Sequence, residues 1–563
     1  MKTTFQYDHY YKYDELEKNL KYFSEKYPEL CDLESICVTE ENRNVYAMTI
    51  TNKKTGAALD KPAFHIDGNT HAGEVTGSMA AMHAIDVLLT GYGEDKVITK
   101  ILDRMTIYVV PRISPDGAET YLTTPYSIRS VNRVHNPEKG GIRSEDLDGD
   151  GVIRMMRIPT PYGAWKKDKD DSSIMAKRDP GDADGEFYDI YAEGNFEAFD
   201  GDENLKEKKE DWSLDFNRNY PYGWFPENRQ AGAGKYPLSN PETKAMADWV
   251  IEHPNIGGVS TNHTSGGIIL YPPGTRPSTA VSEKDINQFI EIANMGKEEL
   301  GYEPLNIYDS FISDPANYDS GAFDDWCYQS QGIVAYTVEL WDLAKRVGVP
   351  LVWNTRNKES AQDELKRFVA CMKWVKENAP EYYEDWKPFH HETFGDVEIG
   401  GFNFKFSQQN PPESFLNGVL EQMTRFMIRF AQSMPRLTID TLTSEKVSDD
   451  IYKVTAVVGN LGYLPTNLTE EVYIDNQKEM IDLCNVMDNY AETLISKVQK
   501  NDENIAKVKG VLQDYKGDFP MYYYLDDEKK YIKAQSYNFV KYDDNLVKTL
   551  KNILGEGNVA VRF

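Results

Sequence analysis

The sequence reads HIDGNTHAGE over residues 65–74, and the organisation of the chain follows outward from it. An apolar run ends here, Gly68 turns the chain, and His71 and Glu74 stand three residues apart where a helix begins. At that spacing the two side chains converge on one point. An imidazole and a carboxylate are two of the three protein ligands of an open catalytic zinc site. Taken alone, the pattern is more often a His–Glu pair at the surface of a helix start.

The segments around this stretch alternate between strand and helix patterns. Residues 74–89 place apolar side chains on one helical face, and residues 106–111 (TIYVVP) are typical of a short buried strand. Strand, helix and strand in this order predict an α/β sheet with some parallel pairing. An acidic stretch at about residues 136–211 interrupts the alternation, and we interpret it as an insertion.

The later part of the chain has a different pattern. Residues 415–434 predict one long helix ended by Pro435, and alternation between residues 452 and 458 predicts a strand. We therefore expect three parts: an α/β domain over residues 1–383, a helical connector over 384–435, and a smaller β-rich, sandwich-like domain over 436–563.

Composition argues against several classes of protein. The chain is 40% hydrophobic, which is too apolar for a disordered protein. Its 62 basic and 91 acidic residues give a net charge of −29, which disfavours nucleic-acid binding and repels anionic membranes. No apolar run is long enough for a membrane helix, and the N-terminus does not resemble a signal peptide. We expect a cytoplasmic protein, with a processed, secreted form as the alternative.

Three further stretches follow HIDGNTHAGE: DFNRNYP at residues 215–221, NHT at 262–264 and YTVEL at 336–340. In this order they resemble the zinc carboxypeptidase family, typified by the pancreatic carboxypeptidases A and B, over roughly residues 5–380. The DGDG insertion and the strand-rich tail resemble a large bacterial branch of that family. The resemblance implies a mixed central sheet flanked by helices, one Zn²⁺ per chain, and hydrolysis of the C-terminal bond of peptide substrates.

The resemblance also implies roles for the residues that match by position. His71, Glu74 and His263 match the zinc ligands, and Asp215 matches the carboxylate that orients a ligand histidine. Glu339 matches the general base that activates the zinc-bound water. The structural alternatives are a plain loop aspartate for Asp215 and a buried ion pair for Glu339.

Four residues match positions that contact the substrate in the family. Asn217 and Arg218 match the clamp for the terminal carboxylate, which a guanidinium holds by both oxygens. A structural ion pair is the alternative for Arg218. Tyr318 matches the mobile tyrosine that caps the substrate. Asp324 matches the selector at the base of the pocket and implies a preference for basic or diaminopimelate-like C-terminal groups, unless it forms a surface acidic pair with Asp325.

The arginine that polarises the scissile carbonyl is harder to align across the insertion. We expect it to be Arg157, with Arg154 and Arg133 as rivals. The family commonly has arginine at the position of Gly73 and tyrosine at that of Ser265. Binding of extended substrates is therefore expected to differ from the family pattern.

The insertion contains the sequence DLDGDG at residues 146–151. The carboxylates of Asp146, Asp148 and Asp150 match the first half of an EF-hand loop, but the twelfth position is Arg157 rather than glutamate, which excludes a full EF-hand. Two interpretations follow: a partial Ca²⁺ loop that positions Arg157, or an acidic turn-forming loop.

Two other functions compete with a carboxypeptidase. A zinc amidase or deacylase acting on peptidoglycan stem peptides or acylated amino acids would use the same metal site, but the Asn217–Arg218 clamp favours a peptidase. A non-catalytic peptide-binding scaffold is least favoured, because Glu339 and all three ligand candidates are present. The sequence does not indicate the oligomeric state.

Overall fold

The computed structural model describes residues 1–134, 140–179, 181–197, 207, 213–312, 314–353, 361–448, 451–470, 522–525, 530–533 and 548. The chain divides into two compact units. The first comprises residues 1–435 and 463–475, and the second residues 436–462 and 476–563. Within the described ranges, no helix combines the length and apolar character needed to cross a membrane.

The first unit is built around a mixed sheet. The described strands of this unit, in chain order, are β1 (Cys31–Val38), β2 (Asn44–Ile50), β3 (Ala63–Gly68), β4 (Thr106–Val110), β5 (Gly141–Ser144), β6 (Met155–Pro159), β7 (Trp165–Lys167), β8 (Met175–Lys177), β9 (Tyr188–Ala192), β10 (Gly194–Glu197), β11 (Ile256–Thr264), β12 (Ile268–Tyr271), β13 (Glu303–Asn306), β14 (Val334–Leu340), β15 (Tyr383–His391) and β16 (Gly395–Phe402). Eight of them form the central sheet in the order β1-β2-β4-β3-β11-β14-β12-β13. The inner neighbours β4-β3, β3-β11 and β11-β14 are parallel.

Helices cover both faces of this sheet. They are α1 (Tyr13–Lys26), α2 (Val75–Gly91), α3 (Lys96–Arg104), α4 (Pro115–Thr123), α5 (Pro241–Glu252), α6 (Glu283–Leu300), α7 (Phe323–Gln331), α8 (Leu343–Arg346), α9 (Ala361–Asn378) and α10 (Glu413–Ser433). Helices α1, α2, α6 and α10 contribute to one apolar core, and α5 and α7 contribute to another. The predicted fold class, an α/β mixed sheet flanked by helices, is confirmed.

The middle of the sheet is completely shielded from solvent. All nine residues of β11 are buried, and so is every residue of α2 from Val75 to Leu89. Strands covered on both faces and a helix that is buried all round belong to the core of a large domain. Because β3, β11 and β14 run parallel, their carboxyl ends and the loops that follow them lie together at one edge of the sheet. The buried core holds that edge in place.

A second, six-stranded sheet has the order β15-β16-β6-β9-β7-β8, and β5 pairs with β10. The described part of the acidic insertion therefore contains strands β5 to β10, joined by turns. Residues 383–402 form β15 and β16, so the prediction of a helical connector over residues 384–435 is wrong for its first part. Helix α10 accounts for the rest, and the whole segment belongs to the first unit.

The second unit contains the strand pair β17 (Leu437–Ser448) and β18 (Ile451–Asn460). A further antiparallel pair joins β19 (Tyr522–Leu525) to β20 (Lys530–Lys533). The strand-rich character of this region is as expected. The sandwich-like arrangement stays a prediction, since most of residues 471–563 lie outside the described ranges.

Candidate metal centre

The loop between β3 and α2 brings His71 and Glu74 together. Asn69 has a φ of +62°, a left-handed conformation that asparagine tolerates better than most residues. Its Nδ2 donates hydrogen bonds to the carbonyls of His71 at 2.7 Å and Ala72 at 3.1 Å. The resulting turn places His71 Nδ1 2.8 Å from Glu74 Oε1.

His263, near the carboxyl end of β11, completes the cluster. Asn262 Nδ2 donates to the carbonyl of Asp67 at 2.6 Å and so joins the ends of β11 and β3. His263 Nδ1 lies 3.1 Å from His71 Nδ1 and 2.8 Å from Glu74 Oε2. The ligand atoms of the three buried residues all lie within 4.8 Å of one another. The structure thus brings together the three residues that the sequence nominates as ligands.

The charges of this cluster suit a bound cation. Burial alone would raise the pKa of Glu74, but His71 and His263 hold it well below its usual range. Burial opposes protonation of His263, yet Glu74 raises its pKa to about 9. Glu74 Oε2 is buried, and His263 Nδ1 lies 2.8 Å from it. Two imidazoles and one carboxylate are the donor set of an open zinc site, so these residues fit Zn²⁺.

Asp215 connects this cluster to the turn that carries the predicted clamp. Its Oδ1 lies 3.1 Å from His71 Nε2 and accepts a 2.8 Å hydrogen bond from the backbone N–H of Asn217. Its Oδ2 accepts a 2.8 Å hydrogen bond from Arg129 Nε. Burial favours the neutral acid, but Arg129 and Arg218 hold the pKa of Asp215 well below its usual range. An ionised carboxylate at this place fixes the ring orientation of His71.

Glu339 stands on β14 directly opposite His263 on β11. Its Oε2 is buried and has no hydrogen-bonding partner within the described ranges. Burial, followed by the negative charge of Glu74, raises the pKa of Glu339 to about 8. A carboxyl group with a raised pKa and an unused oxygen beside a metal site has the properties of a general base.

Arg218 lies at the same edge, and its guanidinium already has a carboxylate neighbour. Its Nη1 donates to the carbonyl of Asn217 at 2.7 Å, and its Nη2 lies 3.3 Å from Asp319 Oδ1. Tyr318 precedes Asp319, and its ring centroid lies 4.8 Å from that of Phe225. The predicted clamp and the predicted capping tyrosine are therefore linked through one acidic residue.

Asp324 and Asp325 begin α7 and are both buried. Thr337 Oγ1 donates to Asp324 Oδ2 at 2.7 Å. Burial raises the pKa of Asp324, and the charges of His263 and Arg218 partly offset that effect. Asp325 accepts a backbone hydrogen bond at 2.8 Å, and burial together with Asp324 raises its pKa to about 8. A surface acidic pair, the alternative from the sequence, is therefore wrong.

The structure does not bring Arg157 to the cluster. Arg157 lies on β6 in the second sheet, where its Nε donates to Glu398 Oε2 at 2.8 Å. Its guanidinium also lies 4.9 Å from the ring centroid of Tyr188 and 4.5 Å from that of Trp386. Because only 3% of the side chain is exposed, Arg157 has no access to a substrate. The expectation that Arg157 polarises the scissile carbonyl is wrong, since residue spacing across the insertion misled the alignment.

Arg129 occupies the place beside the cluster that was expected for Arg157. Its Nη1 lies 3.6 Å from Glu74 Oε1, and 41% of the side chain is exposed. The rival Arg133 pairs instead with Glu242 at 3.0 Å, and the rival Arg154 pairs with an aspartate of the acidic loop. No sequence pattern pointed to Arg129 as a residue of the site. The available signal was a basic residue in the loop that follows α4.

The acidic loop gives no support for calcium. Asp146 and Asp148 do lie with Glu193, their ligand atoms within 4.8 Å of one another, but Asp150 pairs with Arg154. Glu193 accepts backbone hydrogen bonds from Asp148 at 3.2 Å and from Arg154 at 3.1 Å. The carboxylates are thus engaged in folding the loop, and the turn-forming interpretation accounts for these contacts.

Comparison with known proteins identifies the family of this chain. A family model described as zinc carboxypeptidase matches residues 16–164 and 188–354, together more than half of the chain. The chain belongs to the zinc carboxypeptidase family. A second model, described only as a domain of unknown function, matches residues 436–513. The zinc carboxypeptidase match contains the ligand cluster and ends before β15, β16 and α10.

Relatives in this family match the chain only in part. Carboxypeptidase D of Homo sapiens is 29% identical over 111 residues, which are 20% of this chain and 8% of that protein. Carboxypeptidase A1 of Rattus norvegicus is 23% identical over 353 residues, or 61% of this chain and 65% of that protein. The chain thus spans less than two thirds of the length of either relative.

Solved structures are also similar to this chain. Bovine thrombin-activatable fibrinolysis inhibitor, in complex with tick carboxypeptidase inhibitor, is 16% identical with a TM-score of 0.43, covering 76% of this chain and 97% of that one. A metallo-carboxypeptidase from Burkholderia cenocepacia is 12% identical with a TM-score of 0.34, covering 64% of this chain and 66% of that one.

Proposed function

We propose that this chain is a zinc-dependent metallocarboxypeptidase that removes the C-terminal residue of peptides. The main support is that one edge of the sheet carries the three ligand candidates, Glu339 opposite His263, and the Asn217–Arg218 turn, whose backbone N–H groups donate to Asp215 beside His71. When bound by His71, Glu74 and His263, zinc supplies a Lewis acid that activates water and polarises the peptide carbonyl.

The chain's own residues supply the other steps. Arg218 binds the terminal carboxylate of the substrate through two N–H groups, after that carboxylate displaces Asp319. Glu339 Oε2 takes a proton from the attacking water and delivers it to the nitrogen of the leaving amine. Arg129 donates hydrogen bonds to the carbonyl oxygen as negative charge develops on it. Because only a chain end offers the carboxylate, the product is a single free amino acid.

We also propose that Asp324 favours substrates that end in lysine or arginine. Asp324 is buried at the start of α7, within the electrostatic reach of Arg218. Asp324 forms no ion pair within the described ranges, and a cationic substrate side chain would give this buried carboxylate a direct positive partner. A diaminopimelate-like group carries the same ammonium and would be accepted for the same reason.

Hydrolysis of a small peptide panel tests the activity. The peptides end in Lys, Arg, Phe, Glu and a C-terminal amide, and each is incubated with zinc, with a chelator, and with Glu339→Gln. We expect zinc- and Glu339-dependent release of a free amino acid, with the amide inert. If zinc binds stoichiometrically but no peptide is cleaved, a zinc amidase becomes the better assignment. A chain that binds no zinc would instead be a peptide-binding scaffold.

The same panel tests the role of Asp324. We expect Asp324→Asn to lower the ratio of Lys to Phe release by at least about tenfold, since one desolvated charge pair is worth a few kcal/mol. Asp325→Asn is the matched control and leaves the ratio unchanged. Faster release of Phe than of Lys by the unaltered enzyme would contradict the proposed preference.

A further inference from the structure

The residue at the start of helix α2, Glu74, stands both at the helix-capping position and among the candidate metal ligands. Glu74 is its N-cap residue, the position from which a side chain normally accepts a hydrogen bond from the second or third N–H of the helix. The Glu74 carboxylate makes no such bond, because it faces His71 and His263. The first N–H groups of α2 therefore need another acceptor, since the helix start is buried.

Asn410 supplies that acceptor from far along the chain. Its Oδ1 accepts hydrogen bonds from the backbone N–H of Thr76 at 3.1 Å and from Thr76 Oγ1 at 2.8 Å. Its Nδ2 donates to the carbonyl of Gly73 at 2.7 Å. One fully buried amide thus contacts the residue before Glu74 and the second residue after it.

The segment that carries Asn410 is itself fixed in place. Asn410 Nδ2 also lies 3.0 Å from the carbonyl of Lys405 and 3.2 Å from Tyr121 Oη. A Cβ added to Gly73 would lie 2.7 Å from Gln409 Nε2 and 2.8 Å from Tyr121 Cε2, so a larger residue here would require both side chains to shift. Residues 403–410, which we name the clamping turn, therefore pack directly on the metal-ligand loop, although they lie beyond the family match at residue 354.

We propose that Asn410 is a positioning residue for the metal centre. It caps α2 in place of Glu74 and fixes the carbonyl of Gly73, so that the Glu74 carboxylate stays free and aimed at the two histidines. The clamping turn is in this respect part of the metal site. The inference rests on zinc binding by the proposed enzyme but not on which bond that enzyme cleaves.

Zinc affinity of the full chain tests this role directly. The dissociation constant is measured for Asn410→Ala by competition with a chromogenic chelator, and Co²⁺ absorption reports the ligand geometry. Residues that support metal ligands from outside typically change metal affinity by about 10–100-fold. We expect a zinc dissociation constant at least about tenfold higher than that of the unaltered chain, with an altered Co²⁺ spectrum.

Asn403→Ala is the matched control. Asn403 is a buried asparagine of the same clamping turn, and its Oδ1 accepts the backbone N–H of Lys405 at 3.0 Å. This variant lowers stability in the same place without removing a bond to α2, so zinc affinity and the Co²⁺ spectrum are expected to stay unchanged. Equal losses of zinc affinity in both variants would assign Asn410 a merely structural role.

A milder substitution covers the case in which Asn410→Ala does not fold. Thr76→Val keeps the backbone hydrogen bond to Asn410 and removes the one from Oγ1, together with a longer contact of 3.4 Å between Oγ1 and Tyr10 Oη. We expect a smaller rise in the zinc dissociation constant, about two- to fivefold, within the usual effect of one neutral hydrogen bond. An unchanged zinc dissociation constant in Asn410→Ala or in Thr76→Val overturns the proposal. This outcome is separate from a failure of the proposed function, because zinc binding is measured without peptide cleavage.

Discussion

The guanidinium of Arg129 contacts two carboxylates of the candidate metal centre, those of Asp215 and Glu74. It donates to Asp215, which orients His71, and it lies 3.6 Å from Glu74 Oε1. Its side chain remains 41% exposed. A partly exposed cation held in this way is available to a substrate oxygen without a costly rearrangement.

Replacement of Arg129 by lysine tests this interpretation. Lysine keeps the charge but lacks the planar fork that contacts two groups at once. We expect kcat to fall by about 100-fold or more, with KM nearly unchanged, because the lost hydrogen bond acts mainly on the developing negative charge. Steady-state kinetics on a Lys-ending peptide measures both parameters.

Arg133→Lys serves as the control, because Arg133 pairs with Glu242 away from the cluster. Its kcat is expected to match that of the unaltered enzyme. A raised KM at constant kcat for Arg129→Lys would instead indicate a role in binding the substrate ground state.

Local spacing explains which residues could be predicted. His71 and Glu74 are three residues apart, so their convergence follows from a helix start alone. Arg129 reaches them because the loop after α4 packs against the loop after β3, where the Arg129 carbonyl accepts the backbone N–H of Ala72 at 2.7 Å, and no short sequence pattern indicates that contact. Arg157 matched by position across an insertion of unknown fold, and the strands of that insertion carry it elsewhere.

Among the elements, α2 and α10 form the main helical layer over the central sheet. His83 on α2 is buried, and its Nδ1 lies 2.7 Å from Thr424 Oγ1 on α10. Its Nε2 has no hydrogen-bonding partner in the ranges that the structure describes. Burial lowers the pKa of His83 from 6.5 to about 4, so this interface holds a neutral imidazole.

This pKa shift makes the helical layer sensitive to acid. Because the folded pKa is depressed, the contribution of His83 to stability is present above pH 6.5 and is lost as the pH falls towards 4. The loss approaches about 3 kcal/mol at 1.36 kcal/mol per pKa unit. We expect the gap in unfolding free energy between the unaltered chain and His83→Gln to narrow by up to this amount between pH 7 and pH 4.

Denaturant unfolding at a series of pH values measures that gap. His390→Gln is the control, since His390 is exposed and pairs with Asp396 at 2.9 Å. A gap between the unaltered chain and His83→Gln that does not change with pH would show that His83 titrates normally.

Periodicity predicted some elements well and others not at all. The apolar stripe over residues 415–434 predicted a helix, and α10 spans Glu413–Ser433. Strand β15 reads YEDWKPFHH, a half-exposed mixture without alternation, and it was missed. A strand of this kind is specified by its neighbours in the sheet, here β16, rather than by its own pattern.

At the scale of the whole molecule, the first unit extends well beyond the family match. The apolar face of α10 is buried against α2 and α6. Leu464 and Leu468 belong to the same core, although they follow β18 in the chain. The sequence predicted that the α/β domain ends at residue 383. The resemblance to the family covers only the part of the chain shared with relatives, so it could not indicate that α10 packs on that part.

A chain shortened to residues 1–383 tests the extent of this unit. We expect it to lose cooperative thermal unfolding and to aggregate, because removal of α10 exposes the apolar surface of α2 and α6. A chain of residues 1–470 retains every described part of the first unit and is expected to unfold cooperatively. Calorimetry on both chains decides, and an equal melting temperature for the shorter chain would contradict the prediction.

The bonds from Asn410 to Gly73 and Thr76 span 337 and 334 residues of sequence. A ribosome adds about 5–20 residues per second, so Asn410 is synthesised roughly 20–70 s after Glu74. Throughout that interval the start of helix α2 carries the candidate ligand Glu74 but lacks the capping side chain of Asn410. If Asn410 positions Glu74 as proposed, zinc bound in that interval is expected to be held about tenfold more weakly than by the finished chain. Full zinc affinity is therefore expected only after the clamping turn has been synthesised and has packed against the start of α2.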